Sequence, residues 1–320
     1  MANEKEKTIL ITKDGIRHDG RKKDELREIK FEVGVLDRAD GSCLITWGRN
    51  KILAAVYGPR ELHPKHMAMP DRALIRCEYR MATFSVPDRK SPAPKRRERE
   101  ISKILGEALK PAVFDYLYPR SVIDVFVEVI QADGGSRCAA VCAASLAIAD
   151  AGVPMKDLVA GVAAGILEGQ VVLDLDDVED KEGDGDLPFA YLPHTGDVVL
   201  LQSDGVFSPK EYKEALDMLI PASKKIYQMQ RDALTTKYSR ITEEVIETLD
   251  EVASEEEKTS AKTKDEKTDS AKKDPKKKTD DKKAKEQSAE KEDKKKADKK
   301  SDKKILDKKK TSPKEKAEKK

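Results

Sequence analysis

Hydrophobic periodicity switches along the chain between the two-residue spacing of strands and the three- to four-residue spacing of helices. Alternating or continuous apolar runs predict strands over 29–36, 41–47, 51–57, 73–81 and 122–130. Between the last two strands, apolar residues from Arg97 to Leu109 recur every three or four positions, which predicts an amphipathic helix edged by Pro111. This half of the chain therefore mixes both kinds of element.

The second half begins with a tight turn, Asp133-Gly134-Gly135-Ser136, and a helix of small residues predicted over 137–151. Further strands are predicted over 158–167, 170–175, 189–192 and 197–202. Ser208 then caps a long helix that we expect to reach about Arg240, with Pro221 as a point where it can kink. No internal repeat divides this pattern, so we predict a single mixed unit of strands and helices.

Composition separates a folded body from a charged tail. Charged residues make up 39% of the 320 residues, against roughly 25% in an ordinary globular protein. From Lys258 onward 27 Lys face 15 Asp and Glu, a net charge of +12, and because the whole chain carries +2, residues 1–257 carry −10. We predict a flexible leader at 1–12, a folded domain at 13–245 and a disordered tail at 246–320, since such a tail buries too little apolar surface to offset its ordering entropy.

Two features bear on the compartment. No segment has the roughly 18 consecutive apolar residues of a membrane span, and 1–7 lacks the apolar core of a signal peptide. The cysteines, Cys43, Cys77, Cys138 and Cys142, show no C-x-x-C spacing, and the last two lie one helical turn apart among alanines. We expect them to be small packing residues rather than a metal or disulfide pair, in a cytoplasmic protein that does not contact a membrane.

The turn at 133–137 is the first candidate site. Two glycines let the backbone bend sharply and approach a ligand, and the helix that follows offers unpaired N–H groups and the positive end of its dipole. Ser136 adds a hydroxyl group and Arg137 a planar fork that suits an oxyanion. These parts predict a phosphate site. The alternative is a tight strand-to-helix turn with an exposed arginine.

The basic run Lys95-Arg96-Arg97 opens the first predicted helix, where cations oppose the helix dipole. The run therefore indicates a second wall of an anion site, unless Glu98 and Glu100 neutralise it. A second basic segment, the loop at 58–70, carries Arg60, His63, Lys65 and His66. Such a loop suits contact with a polyanion, with ordinary surface exposure or a histidine metal site as the alternatives.

A run of carboxylates follows the strand predicted over 170–175: Asp174, Asp176, Asp177, Glu179, Asp180, Glu182, Asp184 and Asp186. We expect most of them to lie in a solvated loop. Carboxylates that leave a strand end can also converge on a divalent cation, and one of them can act as a proton donor. An acidic cluster facing an anion site is what an enzyme acting on phosphate esters needs.

Eight motifs, in this order, resemble the RNase PH family over residues 10–245. They are Asp19-Gly20-Arg21, Glu25-Leu26-Arg27, Asp40-Gly41-Ser42, Gly58-Pro59, Pro92-Ala93-Pro94, Arg96-Arg97-Glu98, the run from Gln131 to Arg137, and the run from Asp174 to Asp186. Within that family the chain is most similar to the catalytic PH-type subunits of the archaeal exosome. The resemblance implies an α+β RNase PH fold of βαβα units with mixed sheets, and the basic tail lies outside it.

The resemblance also implies roles for individual residues. For phosphate binding it indicates Gly135, Ser136, Arg137 and Arg97. For RNA binding it indicates Arg96, Arg97, Lys65, Arg60 and His66. For proton donation and for coordination of Mg²⁺, with Mn²⁺ as an alternative, it indicates Asp180 and Asp186.

The implied activity is phosphorolytic, 3′→5′ degradation of single-stranded RNA with inorganic phosphate as co-substrate and nucleoside diphosphates as products, reversible to RNA tailing. The implied partners are a non-catalytic PH-type sister in a hexameric ring of three heterodimers, and cap subunits with S1 or KH modules. A stand-alone RNase PH that trims tRNA and a non-catalytic RNA-binding ring subunit are the alternatives. For the tail we leave two roles open: a solvated segment that maintains solubility, or an arm that adds weak, salt-sensitive RNA contacts.

Overall fold

The structure is a computed structural model that describes residues 10–12 and 15–268. By its contacts the chain divides into a body, Met1–Ile246, and a second unit, Glu247–Lys320. Mixed sheets and helices make up the body, so the predicted α+β fold class is confirmed. Among the described helices, none combines the length and apolar character needed to cross a bilayer.

The first sheet has five strands. They are β1 (Ile29–Val33), β2 (Gly41–Trp47), β3 (Asn50–Glu61), β4 (Leu74–Met81) and β5 (Ser121–Gln131). Their order across the sheet is β1-β2-β3-β5-β4, and only the β4–β5 pair is parallel. Strand β3 runs four residues past the predicted Tyr57, because after a register shift Arg60 and Glu61 pair with the start of β5.

Two helices pack on this sheet. Helix α1 (Arg96–Leu109) lies against β4, and α2 (Ser136–Asp150) contacts strands of both sheets of the body. Every side chain of α2 from Cys138 to Ile148 is buried, which explains why the helix is built from small residues. Burial raises the pKa of Cys138 and of Cys142 to about 12, and both thiols are free. Their predicted role as packing residues is confirmed.

The second sheet holds the remaining strands. They are β6 (Ala160–Leu167), β7 (Gln170–Leu173), β8 (Gly185–Leu192), β9 (Asp197–Leu201) and β10 (Asp204–Gly205). The order is β10-β8-β6-β7, with β9 also paired to β8, and all pairs are antiparallel. Strand β8 begins at Gly185 rather than at the predicted Phe189, and it thereby places Asp186 on a strand beside β6.

The acidic segment between β7 and β8 corrects the prediction of a solvated loop. Residues Asp177–Glu182 form a short helix, α3. The side chain of Asp176 accepts hydrogen bonds from the N–H groups of Val178 and Glu179, and Glu179 accepts one from the N–H of Asp176. This reciprocal capping satisfies donors that would otherwise be orphaned at the helix start, and it stabilises a helix where composition indicated a loop.

The predicted leader at 1–12 needs correction, whereas the division of the chain after Ile246 agrees with the predicted end of the body at 245 to within one residue. Leu10 and Ile11, placed in the flexible leader, are buried against Leu167, Val172 and Leu175, because their apolar side chains cover the second sheet. The final helix, α4 (Pro209–Thr268), continues past Arg240 through a sequence of strong helix formers. Residues 246–268 of the predicted disordered tail are therefore helical, and 1–9 and 269–320 lie outside the described residues.

Candidate active site

A cavity of about 400 Å³ lies where the two sheets, α1 and α3 come together. Arg97 enters it from α1, the segment Gly134–Arg137 from the start of α2, Asp180 from α3 and Asp186 from β8. The anion site and the acidic residues that the sequence indicated separately thus share one cavity. The structure brings together every residue predicted for phosphate binding and both predicted acids.

Glycine is required at the turn that forms the floor of this cavity. Gly134 and Gly135 both have a φ of 65°, a left-handed conformation that side chains disfavour. A Cβ atom on Gly134 would lie 2.4 Å from the carbonyl carbon of Asp176, so α3 approaches the turn too closely for any side chain there. The two glycines therefore allow the acidic helix to lie directly beside the start of α2.

Hydrogen bonds from two side chains, Asn50 and Arg27, hold the backbone of the turn. Asn50 donates from Nδ2 to the carbonyl oxygen of Gly134 at 2.6 Å, and its Oδ1 accepts from the N–H of Asp133 at 2.6 Å. Arg27 donates to the carbonyl oxygen of Asp133. With these carbonyl oxygens occupied, the polar groups that the turn can offer a ligand are the free N–H groups of the first turn of α2. Such a helix start favours an anion.

Ser136 and Arg137 add side-chain donors to the helix start. The hydroxyl oxygen of Ser136 lies 3.0 Å from the phenol oxygen of Tyr79. Arg137 donates from Nη1 to Oε1 of Gln202 at 2.6 Å, whereas its buried Nε has no hydrogen-bond partner among the described residues. A buried guanidinium N–H without an acceptor is costly, and an anion in the cavity would supply one.

The cavity raises the pKa of both carboxyl groups that line it, Asp180 and Asp186. Burial raises the pKa of Asp180 above its ordinary value, although the charges of Arg97 and Arg137 oppose the rise. Burial, and then the negative charge of Asp180, raise the pKa of Asp186 as well. Asp180 and Asp186 are therefore harder to ionise than ordinary carboxyl groups, although Arg97 and Arg137 line the same cavity. A proton or a cation is favoured next to these two carboxyl groups.

The basic run Lys95-Arg96-Arg97 at the start of α1 had two interpretations, a wall of an anion site or a run neutralised by carboxylates. The structure supports both. Glu98 is buried and accepts hydrogen bonds from the N–H groups of Met81 and Lys95, so a carboxylate does neutralise the helix start. Arg97 nevertheless lines the cavity, while Arg96 is exposed and does not. The local balance of charge therefore leaves Arg97 available for an anion in the cavity.

The residues predicted for RNA binding at 58–70 do not line the cavity, and the predicted loop is in part a strand, because Arg60 lies on β3. Arg60 pairs with Asp40 at 3.0 Å and lies over the ring of Tyr57, and Lys65 pairs with Glu61 at 2.7 Å. His66 is exposed. The 58–70 segment is therefore a cationic surface separate from the cavity. Its predicted role, contact with RNA away from the reacting bond, stays a prediction.

Other acidic residues of the same segment are structural. Asp174 is buried and accepts hydrogen bonds from the side chain of Arg27 and the indole N–H of Trp47. Burial opposes ionisation of Asp174, but the charge and hydrogen bonds of Arg27 outweigh it and lower its pKa. Glu179 is fully buried and pairs with Arg17, which also donates to the carbonyl oxygens at the end of β7.

One group of metal-ligand type, His18 with Asp176 and Glu179, also occurs among the described residues. Both oxygens of Glu179 accept from Arg17, and Oδ1 of Asp176 accepts from two backbone N–H groups of α3. Because positive and N–H donors already occupy these oxygens, the group is an ion-pair network rather than a metal site.

Sequence reasoning missed part of the cavity wall. Tyr79, Asp88 and Lys181 also line it, and Arg27 and Asn50 position its floor. Arg27 belongs to the motif Glu25-Leu26-Arg27, so the sequence did mark this residue. Lys90, in the loop before the basic run, lines the cavity as well. Nothing local in the sequence indicates that β4 brings Tyr79 to the start of α2.

The residues that line the cavity lie within two segments that match a known protein family. Models for domain 1 and domain 2 of the 3′ exoribonuclease family, RNase PH, match residues 25–154 and 157–218. The exosome complex component Rrp41 of Thermococcus onnurineus is 55% identical over 245 residues, which is 77% of this chain and 98% of that protein. Rrp41 of Methanopyrus kandleri is 56% identical over 229 residues, 72% of this chain and 96% of that protein.

Solved structures agree with the fold. Rice Rrp46 superposes with a TM-score of 0.61 at 26% identity, over 67% of this chain and 98% of that one. A chain of the Archaeoglobus fulgidus exosome with RNA bound to the active site gives a TM-score of 0.60 over 67% of this chain and 92% of that one. At 23% identity the second likeness concerns the fold alone.

Proposed function

This chain belongs to the 3′ exoribonuclease family of RNase PH type, and on that premise we propose that it is the catalytic subunit of an archaeal-type exosome. It degrades RNA from the 3′ end, and in our proposal inorganic phosphate, not water, attacks the terminal phosphodiester. The observation that carries this proposal is the cavity in which an anion site at the start of α2 faces two carboxyl groups of raised pKa.

In this proposal inorganic phosphate binds at the start of α2. The N–H groups at 135–137, the hydroxyl of Ser136 and the guanidinium of Arg137 offer donors to its oxygens, and Arg97 faces them across the cavity. Water needs no such set of cationic and N–H donors. Holding phosphate beside the RNA end replaces a bimolecular encounter by a positioned attack, which lowers the entropic part of the barrier.

The reaction exchanges one bond for another. A phosphate oxygen forms a bond to the phosphorus of the last phosphodiester, and the bond from that phosphorus to the 3′ oxygen of the preceding nucleotide breaks. The departing 3′ oxygen takes a proton from Asp180, whose pKa is raised by burial, so that it binds a proton more readily than an ordinary carboxyl group. The products are a nucleoside diphosphate and RNA shortened by one nucleotide, and the same path in reverse adds a nucleotide.

A divalent cation, Mg²⁺ or Mn²⁺, fits the acidic side of the cavity. Asp180 and Asp186 are carboxylate ligands of the kind hard cations prefer. Burial, and then the negative charge of Asp180, raise the pKa of Asp186, which marks a place where positive charge is favoured. When bound, the cation would neutralise charge on the reacting phosphates. Because the two acids also attract protons, cation binding and protonation compete for the same oxygens.

We propose single-stranded RNA, a PH-type sister subunit in a hexameric ring and S1 or KH cap subunits as the partners. The Rrp41 relatives are named as exosome components, and the solved Archaeoglobus chain belongs to an exosome with bound RNA. On the body, Phe84 and Val206 are 73% and 88% exposed, an unusual position for large apolar side chains that subunit contacts would cover. The cationic 58–70 loop offers phosphate contacts that do not depend on base identity.

The proposal is tested with 5′-labelled RNA and the chain assembled with a PH-type sister. We expect shortening of the RNA only when inorganic phosphate is present, with nucleoside diphosphates as the released product. Release of nucleoside monophosphates without phosphate would contradict phosphorolysis while leaving exoribonuclease activity in place. No release under either condition would favour a non-catalytic ring subunit, and full activity of the chain alone as a homohexamer would favour a stand-alone RNase PH.

A further inference from the structure

Tyr79 joins two walls of the cavity. It lies on β4, only 1% of its surface is exposed, and its phenol oxygen is 3.0 Å from the hydroxyl oxygen of Ser136 at the start of α2. Both residues line the cavity. The phosphate proposal uses the hydroxyl of Ser136 but has no role for the phenol, so this contact needs a separate explanation.

The backbone of Tyr79 is tied to α1. The N–H of Tyr79 donates to the hydroxyl oxygen of Ser102 on α1 at 2.9 Å, and that hydroxyl donates to the carbonyl oxygen of Glu98 at 2.6 Å. Arg97 precedes Glu98 in the same turn. The chain of hydrogen bonds therefore ties the helix that bears Arg97 to the helix start that bears Ser136.

The direction of the hydrogen bond follows from acidity. A phenol is a stronger acid than an alkyl alcohol and hence the better donor, and burial raises the pKa of Tyr79, so the phenol keeps its proton. When Tyr79 donates to the oxygen of Ser136, the serine proton is free to turn to another acceptor. Phosphate oxygens are acceptors, and at this helix start each needs a donor.

We propose that Tyr79 is a positioning residue, which directs the hydroxyl of Ser136 to donate to inorganic phosphate. The inference rests on the proposed phosphorolytic function and adds to it a determinant of co-substrate affinity. Tyr79 acts only through Ser136 and does not touch the phosphate. The effect of removing the phenol oxygen must therefore disappear when Ser136 has already lost its hydroxyl.

The test is a double-mutant cycle with Tyr79→Phe, Ser136→Ala and the double variant, each assembled in the ring. We expect Tyr79→Phe to raise the KM for phosphate about 3- to 10-fold, the effect of one net hydrogen bond, with the KM for RNA unchanged. The double variant should match Ser136→Ala alone. Tyr116→Phe, an exposed tyrosine outside the cavity, is the matched control and should leave both constants unchanged.

Independent effects that multiply in the double variant would overturn the proposal, since Tyr79 would then contact phosphate itself or act through the fold. Equal rises in both KM values would do the same. If Tyr79→Phe unfolds, a fluorotyrosine at position 79, with fluorine ortho to the hydroxyl, keeps the ring and makes the phenol a stronger donor. Its lower KM for phosphate must vanish in the Ser136→Ala background.

The two proposals fail differently. If the ring shows no phosphate-dependent turnover, the proposed function fails, and the same cycle is then read from the Kd of inorganic phosphate by calorimetry. Coupled losses of affinity in Tyr79→Phe and Ser136→Ala would still support the positioning role. Unchanged phosphate affinity in Tyr79→Phe would overturn it.

Discussion

Arg27 and Asp174 are 147 residues apart in the chain and form a two-pronged ion pair beneath the cavity. Nη2 of Arg27 lies 2.7 Å from Oδ1 of Asp174, and Nε lies 3.1 Å from Oδ2. The same guanidinium donates to the carbonyl oxygen of Asp133 in the glycine turn. One buried pair thus links the end of β7 to the floor of the anion site.

Arg27→Met should destabilise the body by about 3–5 kcal/mol, because it leaves the Asp174 carboxylate buried without its partner. Urea unfolding measures the change. Arg76→Met is the control: Arg76 pairs with Asp124 at the surface, with 44% of its side chain exposed, and should cost less than about 1 kcal/mol. Equal losses of unfolding free energy in the two variants would show that the buried ion pair contributes no more to stability than the exposed one.

The pH dependence of stability should report Asp174. Its pKa is lowered in the folded state, against an ordinary value of 3.8, so its contribution is complete above that value and is lost as the pH falls through the folded pKa. Unfolding free energies measured from neutral to acidic pH should show this loss. Asp174→Asn should be less stable at neutral pH and have a shallower decline in acid; parallel curves would contradict the assignment.

Asp180→Asn should lower kcat by at least about 100-fold, because the amide cannot donate a proton to the leaving oxygen as the acid does. Ring mass and phosphate affinity should persist, since the helix start is untouched. Glu182→Gln, an exposed change in the same helix, is the control and should retain full activity. Release of diphosphates at the normal rate by Asp180→Asn would show that a different group donates the proton.

Arg137→Lys should raise the KM for phosphate about 10-fold or more, since the ammonium keeps the charge but loses the fork that can serve Gln202 and an anion together. Phosphate titration at saturating RNA gives the constant. Arg99→Lys, exposed on α1, should have no effect. A normal KM for phosphate in Arg137→Lys would place the phosphate elsewhere in the cavity.

Deletion of 258–320 should leave turnover of short RNA and RNA affinity at low salt unchanged, as expected of a segment that serves solubility. The measurement is RNA binding across a salt series. An affinity loss that grows as salt is lowered would instead support an arm with phosphate contacts, because 27 lysines against 15 acids leave it strongly cationic.

Many strands and helices can be predicted from the sequence alone, because the spacing of apolar residues within a segment reflects the backbone geometry of that segment. The alternation at 41–47 predicts β2 with its observed bounds, and the spacing from Arg97 to Leu109 predicts α1 to within one residue. The two glycines before Ser136 likewise predict the turn and the anion site at the start of α2, since their effect on the backbone is local.

Only the tertiary structure separates the roles within the acidic segment. Asp174 and Glu179 are buried against Arg27 and Arg17, more than a hundred residues earlier, whereas the neighbouring Asp180 faces the cavity. The sequence determines which groups carry charge, but burial and the distance to a distant partner decide whether a carboxyl group is structural or reactive. Those quantities exist only after the strands and helices have packed.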